Sequence, residues 1–304
     1  MDEPHDSRRA TNGITIPQSF LNMPRWWQEG AEWLAELPRA IRLQCEKWDL
    51  RIVGELSHGS HAVVVPVTRD GEEYALRIAP PDTDVADQVR ALRFWDGRGT
   101  VLLIEADVDH GAMLLERLAM HLSLSDRPVD KAVAILGRMI RRLAVAAPPD
   151  VQSTATLART IADDLEATWH RLHEPFDKAF LAEALDVAPG LSGTSSVLAV
   201  NGDLHSGQVL KGSREPWLTV DPLLLRGDIE YDLARVLWTR LDDMADAAEV
   251  VAHFETAVAE GGLDYARARD WVVFRSVEYW LWGLNAGLTE DPQRCRRLVS
   301  VFMT

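Results

Sequence analysis

The feature that most constrains this chain is a short β-type interruption set between two long helical stretches. Residues 196–221 read SVLAVNGDLHSGQVLKGSREPWLTVD. Three β-prone apolar runs, VLAV, QVL and WLTV, alternate with polar loops carrying Gly and Pro, which is the pattern of short strands and turns. The first run delivers Asp203 into a loop. The second leaves that loop, turns through Gly212–Pro216 and returns as the third, which delivers Asp221. Both carboxylates are therefore expected at the same end of a short hairpin, with Gln208 at the start of the outgoing strand close to both.

The remainder of the chain divides by texture. Residues 1–13 are polar and read as a disordered tail. The segment from Ile16 to Leu50 reads as helical, with Trp27, Trp33, Leu34, Leu37 and Ile41 as core candidates and Pro38 expected to break or bend it. From Arg51 the pattern is β: β-branched runs, a glycine-bearing loop at Ser57–Ser60 and an Asp70-Gly71 hairpin signal. A helix with Val85, Val89 and Leu92 on one face follows, then two strands joined at His110-Gly111. Beyond Leu118 helices dominate. Val133, Leu136, Ile140 and Leu143 form one apolar stripe, and two further helices are expected to end at Pro189-Gly190. The expected division is thus 14–118 and 119–304.

Charge and composition exclude several classes. A formal net charge of −15 argues against a phosphate-backbone partner, because nucleic-acid binding needs clustered Lys and Arg. The two cysteines, Cys45 and Cys295, cannot build a disulfide framework, and no spacing suggests zinc. The N-terminus lacks the apolar core of a secretory signal, and no run approaches the roughly 18 apolar residues that span a bilayer. A cytoplasmic setting without a membrane partner is the expectation.

The β interruption also carries chemistry. A carboxylate able to accept a proton, beside a second carboxylate and an amide oxygen, suits a hard, oxygen-preferring cation such as Mg²⁺. Phosphoryl transfer needs those parts: a group that orients the attacking hydroxyl, and a metal on the phosphates. NGDLHSGQVL followed by WLTVDPLLLRGDIEYDLARVLW resembles the kinase core of the aminoglycoside phosphotransferase family, and more narrowly its streptomycin 6-phosphotransferase and hydroxyurea phosphotransferase type. IPQSF, WLAELP, KWDL, RALRFWDGRGTVLLIEAD and GAMLLERL resemble family segments in the same order.

The resemblance implies an α+β, protein-kinase-like bilobal fold, with a small β-rich N-terminal lobe and a larger helical C-terminal lobe. It implies a kinase that uses ATP or GTP to phosphorylate a hydroxyl of a small cationic antibiotic, streptomycin-like at its 6-hydroxyl. By position, Asp203 becomes the catalytic base, and Gln208 and Asp221 become ligands of Mg²⁺. Ser57, His58, Gly59 and Ser60 cap the triphosphate through backbone N–H groups. Arg77 takes the slot of a phosphate-binding lysine, and Glu116 to Leu118 the segment whose backbone bonds the nucleobase. Asn201 and His205 brace the loop. Asp228, Glu230, Glu278 and Trp282 are candidates for the acceptor pocket, where acids meet cations and indoles stack. Asp232 reads instead as a brace of the loop after Asp221 or a cap of the following helix.

Four positions depart from the family pattern. Asn201 replaces a histidine, Gln208 an asparagine, Arg77 a lysine, and Gln88 stands where an acidic partner for residue 77 is expected. Gln88 can hydrogen-bond Arg77 but cannot pair its charge, and Arg is not equivalent to Lys at a phosphate. Two alternatives to an aminoglycoside kinase therefore stay open: a relative that binds nucleotide or drug without turnover, and a kinase for another small hydroxylated metabolite.

Overall fold

Asp70 and Gly71 both adopt positive φ, 53° and 86°, the backbone that a two-residue hairpin turn requires. They join β3 (Val63–Arg69) to β4 (Glu72–Ile78), the centre of an antiparallel sheet in the computed structural model, which describes residues 13–23, 26, 30–81 and 83–303. The candidate core residue Trp27 and residues 1–12 of the expected tail lie outside the described residues. The chain forms two units, residues 1–89 with 102–117 and residues 90–101 with 118–304, so the division runs through the helix Thr83–Trp95.

In the first unit the sheet order is β1 (Arg51–Ile52), β3, β4, β6 (Ala112–Glu116), β5 (Leu103–Asp107), with β2 (Ser57–His58) pairing β3. One face packs on helix α1 (Ala31–Lys47), whose Leu37 and Ile41 join Phe20, Val65, Leu76 and Leu114 in one core. Pro38 lies inside that helix. It does not end it: Leu37 and Ile41, both fully buried, hold the helix on the sheet across the one backbone hydrogen bond that proline cannot donate.

In the second unit the helical stripe expected on Val133, Leu136, Ile140 and Leu143 is buried on α2 (Val129–Leu143), while Arg138, Arg141 and Arg142 are exposed. Helices α3 (Thr154–Arg171) and α4 (Lys178–Ser192) follow, each started by a side-chain cap, Ser153 or Asp177. The fourth runs past Pro189 to Ser192, and Arg267 donates to the carbonyls of Gly190 and Leu191 at its end.

Next comes the β interruption. β9 (Val209–Lys211) and β10 (Trp217–Thr219) form the expected hairpin, with β7 (Ala119–Ser123) beside β9. β8 (Leu198–Val200) does not join them. It pairs antiparallel with β11 (Leu225–Gly227), Val200 opposite Leu225. The chain thus passes between two small sheets twice, outward through residues 201–208 and back through residues 220–224. Asp203 lies on the first crossing and Asp221 on the second.

The remaining helices close the unit. They are α5 (Leu233–Trp238), α6 (Ala247–Gly261), α7 (Tyr265–Asn285) and α8 (Glu290–Phe302). Seven consecutive residues of α7, Trp271–Val277, are buried, which places that helix at the centre of the core. Among the described residues no helix is long and apolar enough to cross a membrane.

Candidate active site

The loop after β8 needs a left-handed residue at its first turn. Gly202 has φ 85°, and a Cβ there would sit 3.0 Å from Leu225 Cδ1 and 3.2 Å from Leu223 Cβ, so the loop closes on β11 only with glycine. Asn201, 1% exposed, accepts the Asp203 N–H on its Oδ1 at 3.0 Å. His205 Nδ1 accepts the Gly207 N–H at 3.2 Å. Burial and the Arg235 charge hold the His205 ring down to about 3, so it is a neutral brace at ordinary pH. Ser123 and Ser125 donate to the carbonyl and hydroxyl of Ser206, tying the far side of the loop to β7.

Asp232 supports the same loop from below. Its carboxyl group, 2% exposed, faces the backbone N–H groups of Gly202 and Leu204. Burial pushes it up to about 7, Asp203 adds to the rise, and Arg275 opposes it. Asp232 therefore faces the loop of Asp203, not the loop after Asp221 that the sequence suggests, and its side chain makes no helix-capping bond.

At the loop's centre, Asp203 is partly exposed and has both oxygens engaged. Gln208 Nε2 donates to Oδ2 at 2.7 Å, and Arg235 on α5 forms an ion pair with Oδ1. Burial raises the Asp203 carboxyl; Arg235, the Gln208 bond and Arg275 pull it down, and Asp221 pushes it up. The last effect places the second carboxylate within electrostatic reach of the first. Val220 N–H donates to the Gln208 carbonyl at 3.0 Å, so Gln208 and Asp221 stand together at the open end of the hairpin. The Gln208 Oε1 atom is buried and accepts no hydrogen bond. An orphaned amide oxygen beside a carboxylate is an acceptor looking for a cation. Among the described residues no group of three or more His, Cys, Asp or Glu side chains is placed to hold a metal, so any ion here takes few protein ligands, as Mg²⁺ does.

The expected acceptor residues separate. Asp228 is 5% exposed and accepts from Thr194 Oγ1 at 2.5 Å, Arg267 Nε at 2.6 Å and Trp271 Nε1 at 2.8 Å. Glu230, also buried, accepts the Asp264 N–H at 3.0 Å. Both were expected to meet a substrate; instead their acceptor sites are used to join helix ends. Glu278 is largely enclosed and lies 3.6 Å from Arg275 Nε. Trp282 alone of the four is open, 50% exposed and stacked on Tyr279.

Three residues here carry no family signature and escaped the sequence reading. Arg235, Arg275 and Tyr279 lie in LARVLW and WVVFRSVEYWLW, apolar runs in which a lone arginine was the available signal of a buried anion.

The first unit holds the other expected group. Ser57 and His58 form β2, His58 bonds Ser19 Oγ at 2.7 Å, and Ser60 is exposed. The Gly59 N–H donates to Ala62 O at 3.0 Å, so that amide is spent within the turn rather than offered to a phosphate; a Cβ at Gly59 would meet nothing within 4 Å. Arg77 lies on β4 between Val64 and Met113 and is 7% exposed. Gln88 Oε1 accepts no hydrogen bond, so the Arg77–Gln88 bond that the sequence allows is not made to that oxygen. Glu116 N–H donates to Leu102 O, and the chain enters the second unit between Arg117 and Leu118, which is buried.

Comparison with known proteins agrees with this architecture. A hydroxyurea phosphotransferase from Kitasatospora aureofaciens is 35% identical over 94% of this chain and 85% of its own length. A streptomycin 6-kinase from Streptomyces griseus is 32% identical over 86% of this chain and 88% of its own. Among solved structures, aminoglycoside phosphotransferase APH(4)-Ia, in ternary complex with ADP and hygromycin B, superposes with a TM-score of 0.60 at 16% identity, covering 86% of this chain and 97% of that one. The choline kinase LicA from Streptococcus pneumoniae gives 0.59 at 12% identity, covering 88% and 99%. The fold is therefore protein-kinase-like. Residues 47–287 match the model of the aminoglycoside/hydroxyurea antibiotic resistance kinases, and the chain belongs to that family of phosphotransferases.

Proposed function

We propose that this kinase transfers the γ-phosphoryl group of ATP or GTP to a hydroxyl of a small antibiotic, with Asp203 as the base. The observation that carries this reading is one bond: Gln208 ties its Nε2 to Asp203 while its Oε1 stays buried and unfilled near Asp221. One amide thereby couples the hydroxyl-orienting carboxylate to an oxygen pair of the kind that holds Mg²⁺.

Gln208 and Asp221 would hold the ion, with water and phosphate oxygens completing its shell. When bound, Mg²⁺ neutralises charge on the phosphates. Asp203 accepts the acceptor's hydroxyl proton on a carboxylate whose direction the neighbouring side chains fix. His205 is the weaker candidate for base, since its Nδ1 is already an acceptor and burial and the Arg235 charge lower the basicity of its ring. In the first unit, Ser57, His58, Ser60 and Arg77 are the proposed phosphate contacts, and the backbone of Glu116, with that of Leu118 where the second unit begins, is the proposed contact of the nucleobase. Streptomycin, at its 6-hydroxyl, is the leading acceptor. Hydroxyurea is the second, because a relative at 35% identity carries that activity in its name.

The test is product formation. The purified chain with Mg²⁺ and either nucleotide is offered streptomycin, hydroxyurea and other hydroxylated antibiotics, and phosphorylated products are read by mass spectrometry. Asp203→Ala is expected to lower turnover by about 10² to 10⁴. Full turnover in that variant removes Asp203 as base. Tight nucleotide binding with no product from any acceptor makes the chain a binding protein instead.

A further inference from the structure

Helix α5 carries one cation in an otherwise apolar sequence, LARVLW. That residue, Arg235, touches the proposed base directly. Its Nε is ion-paired with Asp203 Oδ1 while Gln208 holds Oδ2. The other flank of the guanidinium is aromatic: its central carbon lies 5.8 Å from the ring centroids of both Trp238 and Tyr279. Its charge also acts on the Tyr279 hydroxyl, which itself donates to Asp291 Oδ2 at 3.4 Å.

Tyr279 is the middle ring of a stack. Trp238 lies 4.6 Å from it at 21°, and Trp282 lies 4.9 Å from it at 29° on α7. Trp238 is fully buried, whereas Trp282 is half exposed. Contact therefore runs from a solvent-facing indole, through a phenol and a guanidinium, to the carboxylate that is to meet the acceptor's hydroxyl.

A counter-ion role alone does not account for Arg235, because another arginine fills it. Arg275 is 7% exposed, sits 3.9 Å over the Tyr231 ring, and acts on Asp232, Glu278 and Asp203 from inside the core. Arg235 is the one that grips a carboxylate oxygen.

We propose that Arg235 is a positioning residue for the transfer, fixing Asp203 opposite Gln208 and registering it, through Tyr279, to an acceptor resting on the exposed face of Trp282. The Arg235 charge against one oxygen and the Gln208 hydrogen bond on the other resist rotation of the carboxylate, and each oxygen keeps a lone pair for the incoming hydroxyl. The acceptor class this favours has a flat or ring face for the indole and a hydroxyl beside it. The proposal rests on the reading of Asp203 as base.

The test compares Arg235→Met, Arg235→Lys, Tyr279→Phe, Trp282→Ala and the double variant Arg235→Met with Tyr279→Phe in the phosphorylation assay. Arg235→Met is expected to lower kcat about 100-fold, the usual cost of a misplaced reacting group, with nucleotide affinity and acceptor KM little changed. Lysine, a point charge in place of a fork, is expected to recover no more than about tenfold, since it cannot serve Asp203 and Tyr279 together. Tyr279→Phe should lower kcat about three- to tenfold alone, the scale of one polar contact with a charged group, and have no further effect once Arg235 is methionine. Trp282→Ala should raise acceptor KM instead.

Turnover retained in Arg235→Met overturns the proposal, as does a Tyr279→Phe effect that adds fully to that of Arg235→Met. Circular dichroism and nucleotide binding verify each fold; if Arg235→Met does not fold, Tyr279→Phe and Arg235→Lys carry the same comparison. A fully active Asp203→Ala sinks the base reading itself, whereas an inactive Asp203→Ala beside an unaffected Arg235→Met sinks only the positioning role.

Discussion

Two loops in this chain contain a glycine beside a polar functional group, and they are built to opposite standards. The loop Asn201–Gln208 is braced on every side. Asn201 and His205 bond its backbone, Asp232 faces it from the core, Ser123 and Ser125 tie down Ser206, and its own Leu204 is fully buried. The loop Ser57–Ser60 leads out of a two-residue strand, with Gly59 and Ser60 exposed. A group that must direct a proton has its geometry set before substrate arrives, because misplacement costs rate directly. A loop that covers a phosphate gains from open space and a backbone able to adjust.

The two glycines should therefore respond with opposite sign, and Gly202 gives the larger effect. Gly202→Ala forces a left-handed backbone on a residue that avoids it and pushes a methyl against Leu225 and Leu223. A loss of about 1–3 kcal/mol in unfolding free energy is expected, read by chemical denaturation, together with lost turnover as Asp203 shifts. Unchanged stability would mean that this loop is not over-determined.

Asp232 gives a second contrast, in pH. Its carboxyl is raised from 3.8 in the unfolded chain to about 7 when folded. The folded protein thus binds the proton more tightly, so this group's contribution to stability is complete below about pH 4 and fades as the pH rises toward 7. Asp232→Asn keeps an oxygen facing the Gly202 and Leu204 N–H groups and removes the titration. The variant's unfolding midpoint is expected to change less with pH across that window than the parent's. Identical slopes would show that Asp232 does not titrate there.

These contrasts also mark what the sequence made legible. The hairpin at Asp70-Gly71, the helical stripe of α2 and the pairing of QVL with WLTV all follow from local rules of turn chemistry and periodicity, and each is written within a few residues. The partner of β8 is not. VLAV can pair with any nearby strand, and only tertiary packing selects β11 over the hairpin it leads into. Pro38 and Pro189 failed as stop signals for the same reason: buried neighbours on either side of Pro38, and Arg267 bonded to the carbonyls after Pro189, outweigh one missing donor. Asp228 and Glu230 looked like free acids because their partners, Thr194, Trp271, Arg267 and the Asp264 amide, lie 34 or more residues away. A charge whose counterpart is distant in sequence reads as unpaired until the fold is known.

The smallest effect belongs to the open loop. A Cβ at Gly59 meets nothing within 4 Å, and the residue does not need positive φ. Alanine there restricts the unfolded chain more than the folded one, so Gly59→Ala should leave stability unchanged or raise it by about 0.4–1 kcal/mol. Gly59 stands between His58 and Ser60, two of the proposed phosphate contacts, so the added methyl should raise the KM for nucleotide without touching that for the acceptor. A stability gain with unaltered nucleotide KM would move the phosphates away from Gly59 and toward Arg77. A stability loss on the scale of Gly202→Ala would erase the distinction between the two loops, because it would mean that Ser57–Ser60 is as tightly specified as the segment bearing Asp203.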